Sequence, residues 1–106
     1  MFPGGMNLGK FGKQFEDMQK KLARVEQDLK ERVVDATSGG GMVKVMVNGA
    51  EEIVNIKIEK DVINPDDKGM LEDLILAAVN EGVKKAKKLR ETEMAKVTGM
   101  VLPGLM

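Results

Sequence analysis

Lys84-Lys85-Ala86-Lys87-Lys88-Leu89-Arg90 places five cations in seven residues. At 100° per residue on a helix, Lys84, Lys85, Lys87 and Lys88 fall within an arc of about 160°. Ammonium groups so placed meet phosphate as point charges, and an Arg meets it as a planar fork. A second set lies upstream: Lys10, Lys13, Lys20, Lys21 and Arg24, interspersed with Glu16, Asp17 and Glu26. The plain alternative for both sets is a solvated helix face, with cations near a helix C-terminus favoured by its dipole. Gln14, Gln19 and Gln27 add amides to the first set, as fit to meet water as to meet base edges.

Other chemistry finds few residues. The chain has no Cys and no His, which removes thiol nucleophiles, disulfides, imidazole acid–base chemistry and the usual zinc sites. Thr37-Ser38-Gly39-Gly40-Gly41 lacks the Gly-Lys-Ser/Thr ending of a phosphate loop and is followed by a strand pattern, so it reads as a hairpin turn. Glu51-Glu52 lies beside a turn, and Asp66-Asp67 lies at a helix start, where acids favour the dipole. Neither pair has the alternating spacing of a calcium loop. No catalytic residue, metal ligand, cofactor or small-molecule substrate is expected, and the chain reads as a non-enzyme.

The elements that must carry the cations follow from periodicity. Leu8, Phe11, Phe15, Met18, Leu22, Val25 and Leu29 are spaced 3, 4, 3, 4, 3, 4, the a/d seam of three heptads. This predicts a helix over about 8–31, about 35 Å long. The period then changes to two. Val34, Ala36 and Ser38 alternate with Val33, Asp35 and Thr37, and after the three glycines Val43, Val45 and Val47 share one face. Met42, Lys44 and Met46 share the other, a candidate second contact surface. Asn48-Gly49 is a strong hairpin signal, because both residues tolerate the positive φ of a type I′ turn. Glu52 to Glu59 reads as a third strand with Val54, Ile56 and Ile58 inward. Asn64-Pro65-Asp66-Asp67 then opens a second helix, with Leu71, Leu74, Ile75, Ala78, Val79, Gly82, Ala86 and Leu89 in one stripe. It is expected to end near Lys96 or Val97, with Gly99 as the stop.

The fold class is therefore α+β: an α-β-β-β-α protomer, with a three-stranded antiparallel meander flanked by two long helices. Residues 1–106 form one domain, with 1–7 and 99–106 as flexible or partner-packed ends. The longest apolar run, Leu74 to Val79, has six residues, where a membrane helix needs about 20. Met1 to Met6 does not have the form of a secretory signal. No membrane partner is expected, and the cytoplasm is the expected location. Strands of six or seven residues span about 20–23 Å, less than either helix. Part of each apolar stripe must overhang, and stable monomers avoid such patches. A homodimer is the expected remedy.

Seventeen Lys+Arg against seventeen Asp+Glu gives no net charge, which argues against an ordinary basic nucleic-acid binder. The distribution argues otherwise. Residues 1–30 carry six basic and four acidic groups, 31–69 five and eight, and 70–106 six and five. The helices are basic and the sheet is acidic, and a twofold axis would double each basic cluster.

Three motifs in order are similar to one family. Ser38-Gly39-Gly40-Gly41-Met42-Val43-Lys44-Val45 with Asn48-Gly49 resembles the central hairpin of the YbaB/EbfC bacterial nucleoid-associated proteins. Met70-Leu71-Glu72-Asp73-Leu74-Ile75-Leu76-Ala77-Ala78-Val79-Asn80 resembles the family's second helix, and Thr98-Gly99 with Leu102-Pro103-Gly104 its ending. The resemblance implies a tweezer-like homodimer that binds double-stranded DNA in the nucleoid with low or modest sequence specificity, altering DNA conformation and gene expression. It fixes no contact motif. The expected DNA-binding residues are those of the two clusters, Lys10, Lys13, Lys20, Lys21 and Arg24 with Lys84, Lys85, Lys87, Lys88 and Arg90. Early Gly9 and Gly12 are a departure that bears on where the first helix starts. The alternative is a protein–protein adaptor, using the heptad seam and the apolar C-terminal tail to hold a partner helix.

Overall fold

A computed structural model of the chain describes residues 8–101. Residues 1–7, and 102–106 with most of the apolar tail, lie outside that range. The expected order is present: α1 Leu8–Glu31, β1 Val33–Ser38, β2 Val43–Asn48, β3 Ile53–Ile58 and α2 Lys68–Val101. Short 3₁₀ turns cover Gly39–Gly41, Lys60–Val62 and Pro65–Asp67. The sheet is antiparallel throughout, in the order β1-β2-β3. α1 starts at Leu8 and runs through Gly9 and Gly12.

α2 lies across β1 and β2. Val43, Val45 and Val47 are fully buried against Ala78 and Ala86, with Leu71, Leu74, Ile75 and Val79 packed around them. The small residues of the helix stripe let it approach closely. A Cβ on Gly82 would stand 2.8 Å from Val47 Cγ2. Gly82→Ala is therefore expected to destabilise the fold, although alanine is the better helix former by about 1 kcal/mol. Overpacking of about 1–3 kcal/mol outweighs that gain, so the urea midpoint should fall. A rise in the midpoint would show that helix and sheet have room to spare.

Gly49 is used differently from the way its dipeptide suggests. The Asn48-Gly49 pair does not form a type I′ turn. Asn48 closes a three-residue loop, in which Glu51 N–H donates to the Asn48 carbonyl at 3.0 Å and Glu51 takes the positive φ of 65°. The Asn48 amide oxygen accepts from the backbone N–H groups of Ala50 and Glu52, at 3.0 and 2.9 Å. Gly49 is instead required by contact. Its N–H donates to the carbonyls of Leu29 and Arg32 at the end of α1, and a Cβ there would stand 2.7 Å from the Leu29 oxygen. The hairpin thus caps α1.

Two further differences concern ends and faces. α2 passes through Gly99 to Val101, so that glycine is no stop. A lone helical glycine costs about 1 kcal/mol, which packing on the same helix, including buried Val97, readily offsets. The inner face of β3 is covered within the protomer only at Ile58, which is half-buried and packed against the core. A bulge between Met46 and Val47 pairs Val47 with Ile53, and Ile53, Val54 and Ile56 are 45%, 51% and 45% exposed. α2 shields β1 and β2 but stops short of the third strand.

α1 and β1 follow one another antiparallel to α2. Ser38 Oγ donates to the Leu74 carbonyl at 2.6 Å, Lys85 Nζ to the Asp35 carbonyl at 3.0 Å, and Arg32 pairs with Glu93 at 3.1 Å. The described chain is 76 Å long and 22 by 19 Å across. The overhang expected from element lengths is real. Leu29 is buried and Leu22 and Val25 are half-buried, but Phe11 and Phe15 farther out are both 59% exposed.

Candidate nucleic-acid interface

α1 presents its two chemistries on different faces. Lys10, Lys13, Lys20, Lys21 and Arg24 fall within an arc of about 100°, centred about 130° from the apolar seam. All five are exposed, and none takes part in an ion pair among the described residues. Asp17 falls inside the arc and Glu16 at its border. From Lys10 to Arg24 the helix rises about 21 Å, so this face is a rod of cations rather than a point.

The α2 cluster lies elsewhere, with Lys84, Lys87 and Lys88 turned away from the sheet and Lys85 at the flank that meets β1. Lys84, Lys85, Lys87 and Lys88 are exposed, while Ala78, Gly82 and Ala86 beneath them are buried. Glu81 and Glu91 border the same face one turn to either side. Lys85 is partly committed, since its ammonium donates to the Asp35 carbonyl. The structure therefore brings the cations of each cluster together and separates the two clusters along the molecule.

Arg90 stands apart from both. Its guanidinium grips Glu26 of α1 with both donors, one at 2.9 Å. The hydrogen bond from Arg90 holds the Glu26 carboxyl below its ordinary value, and Glu26 in turn raises Arg90. Glu93 is likewise lowered, by hydrogen bonds from Lys96 and then Arg32. Depressed carboxyls contribute stability that is present above their unfolded value and lost as pH falls through the folded one. Melting temperature should therefore drop between pH 5 and pH 3, and Glu26→Gln should lose less over that interval than the natural chain. An equal loss would place the acid-sensitive groups elsewhere. Nothing local signals the Glu26–Arg90 pair, because its residues are 64 apart.

The open face of the sheet, expected from strand alternation as a second contact surface, adds two cations. Lys44 lies directly opposite Lys57 in the register, a like-charge pairing that is unfavourable. Lys44 is compensated by Asp35 on its other side, at 3.4 Å. Met46 beside it is half-buried, and Met42 is exposed. No helix of the described residues is long and apolar enough to cross a membrane.

A sequence model of the YbaB/EbfC DNA-binding family matches residues 4–101. Named nucleoid-associated proteins are similar over nearly the whole chain. One from Thermoanaerobacter pseudethanolicus is 46% identical over 105 residues, covering 98% of this chain and 95% of that protein. One from Desulfotalea psychrophila is 48% identical over 101 residues, covering 94% and 95%. One from Moorella thermoacetica is 50% identical over 99 residues, covering 92% and 95%. Among solved structures, an uncharacterized protein from Helicobacter pylori superposes with a TM-score of 0.80 at 28% identity, covering 89% of this chain and 99% of that one.

Proposed function

The chain belongs to the YbaB/EbfC DNA-binding family, and from that premise we propose that it binds double-stranded DNA as a homodimer in the nucleoid. The family is a DNA-binding one rather than an enzyme family, and its named relatives are nucleoid-associated proteins. The observation that carries the reading is the outer face of α1, five exposed cations with no ion pair among the described residues, along about 21 Å of helix. Rows of ammonium groups displace counterions from a duplex without reading its bases. Sequence specificity is accordingly low or modest. Lys84, Lys85, Lys87 and Lys88 supply a second contact, and engagement at two places alters the path of the DNA. Effects on nucleoid organisation and gene expression follow from that deformation.

The dimer is supported by what the protomer leaves open. Ile53, Val54 and Ile56 of β3 are about half exposed on the strand next to the buried valines of β2, and Leu76 of α2 is 59% exposed. Exposed apolar side chains on an edge strand are of the kind that a second copy buries. The opposite edge is guarded, since Lys85 donates to the Asp35 carbonyl of β1. A second copy thus meets β3 rather than β1. Such a dimer presents each cation cluster twice.

The test is anisotropy of two labelled duplexes of unrelated sequence, titrated with the full chain at low salt. Both should saturate at micromolar protein, with affinities within about fivefold of each other. No binding to either overturns the reading. Binding to one alone overturns the low specificity.

A further inference from the structure

Arg90 belongs by sequence to the basic run of α2, yet its charge is turned inward. The guanidinium holds Glu26 with two donors, and Arg32 holds Glu93 at 3.1 Å. The first pair links α1 to α2, and the second ties the residue just after α1 to α2. Glu26 lies on one flank of the α1 seam, and Glu93 lines the cleft with Val25, Asp28 and Leu29 on the other. We propose that the Glu26–Arg90 pair, braced by Arg32–Glu93, sets the angle at which α1 projects, and that Arg90 serves duplex binding as a positioning residue rather than as a phosphate contact. The proposal rests on the duplex-binding reading above.

The lever arm makes the angle matter. α1 is anchored through its last turns, where Leu29 is buried and Gly49 N–H bonds the Leu29 carbonyl at 2.8 Å. Residues 8–21 then extend about 20 Å past that anchor. A swing of about 10° displaces the tip by roughly 3–4 Å, enough to break a direct contact with phosphate. A bidentate Arg–carboxylate pair is suited to resisting such a swing, because its two parallel bonds fix orientation as well as distance. Lysine at the same place would hold distance alone.

Charge makes the test selective. Glu26→Gln and Glu16→Gln each remove one acid from α1, and long-range attraction predicts the same gain in DNA affinity for both. Glu16 is exposed and pairs with nothing among the described residues, so Glu16→Gln should bind as tightly as the natural chain or tighter. Glu26→Gln should bind about fivefold weaker, with the same salt slope. Arg90→Lys, which keeps the charge and loses the fork, should weaken binding similarly. Exchanging the charges in the double variant Glu26→Arg, Arg90→Glu should restore affinity to within about twofold. All are measured by duplex anisotropy across a salt series, with circular dichroism confirming that each variant is folded at the assay temperature. Glu26→Gln binding as tightly as Glu16→Gln would overturn the proposal. So would a fall in salt slope on Arg90→Gln without weakening by Glu26→Gln, since that marks a direct phosphate contact. Failure of the natural chain to bind would instead overturn the duplex reading, and this proposal with it.

Discussion

Replacing Lys10, Lys13, Lys20, Lys21 and Arg24 together with Gln is expected to weaken duplex binding at least about a hundredfold, while leaving the fold intact. All five are exposed and on the face of α1 opposed to the one that packs, so surface substitution there costs within about 0.5 kcal/mol each. The loss in affinity comes from counterion release. Sequence-independent binding in the micromolar range is supplied almost wholly by neutralised phosphates, and a dimer would lose ten cations at once. The loss should be equal on unrelated sequences, because a phosphate contact carries no base information. The corresponding change of Lys84, Lys85, Lys87 and Lys88 should weaken binding less, since Lys85 is partly engaged with Asp35 and two acids border that face. If the α1 variant binds as the natural chain does, the arm is not the contact surface.

The second large effect concerns assembly. Ile56→Asp should convert the dimer to a monomer in sedimentation velocity at micromolar concentration. Ile56 is 45% exposed in the protomer, so a carboxylate there costs the isolated fold little. Across an apolar interface the same carboxylate would be buried without a partner, which is strongly unfavourable. Duplex binding should fall with it and its salt slope should halve, because one protomer presents half the cations. An Ile56→Asp chain that remains dimeric places the interface elsewhere, and a natural chain that is monomeric removes the dimer.

What could be read without the fold was what depends on periodicity. The 3-4 spacing from Leu8 to Leu29 and the alternation at Val43, Val45 and Val47 each report a face, and the elements formed where those faces required. The overhang followed from element lengths alone. Contacts between elements were not legible. Asn48-Gly49 carries the local signature of a type I′ turn, yet Gly49 is held by the end of α1, so a tertiary contact sets the turn. Gly99 carries the signature of a helix end, but end signals are weak where a helix has packing to continue for. Val54, Ile56 and Ile58 follow an inward pattern, yet only Ile58 packs against the core, and Val54 and Ile56 are left about half exposed. Arg90 shows the same limit at the site, since composition counts it as a free cation and the fold joins it to Glu26.

The balance of seventeen cations and seventeen anions likewise conceals a spatial separation. Acids concentrate between the helices in sequence, while the α1 rod keeps on one face five cations that pair with no acid among the described residues. Long-range attraction to a duplex is accordingly weak, and binding depends on local contacts made in parallel. That gives the account its sharpest consequence. In a duplex titration at 50 to 200 mM salt, the logarithm of affinity should fall linearly with the logarithm of salt, with a slope of about −4 to −7, as five to eight neutralised phosphates per dimer require. The slope should be the same for two unrelated sequences. A slope near zero would contradict binding through these cations, whatever the affinity.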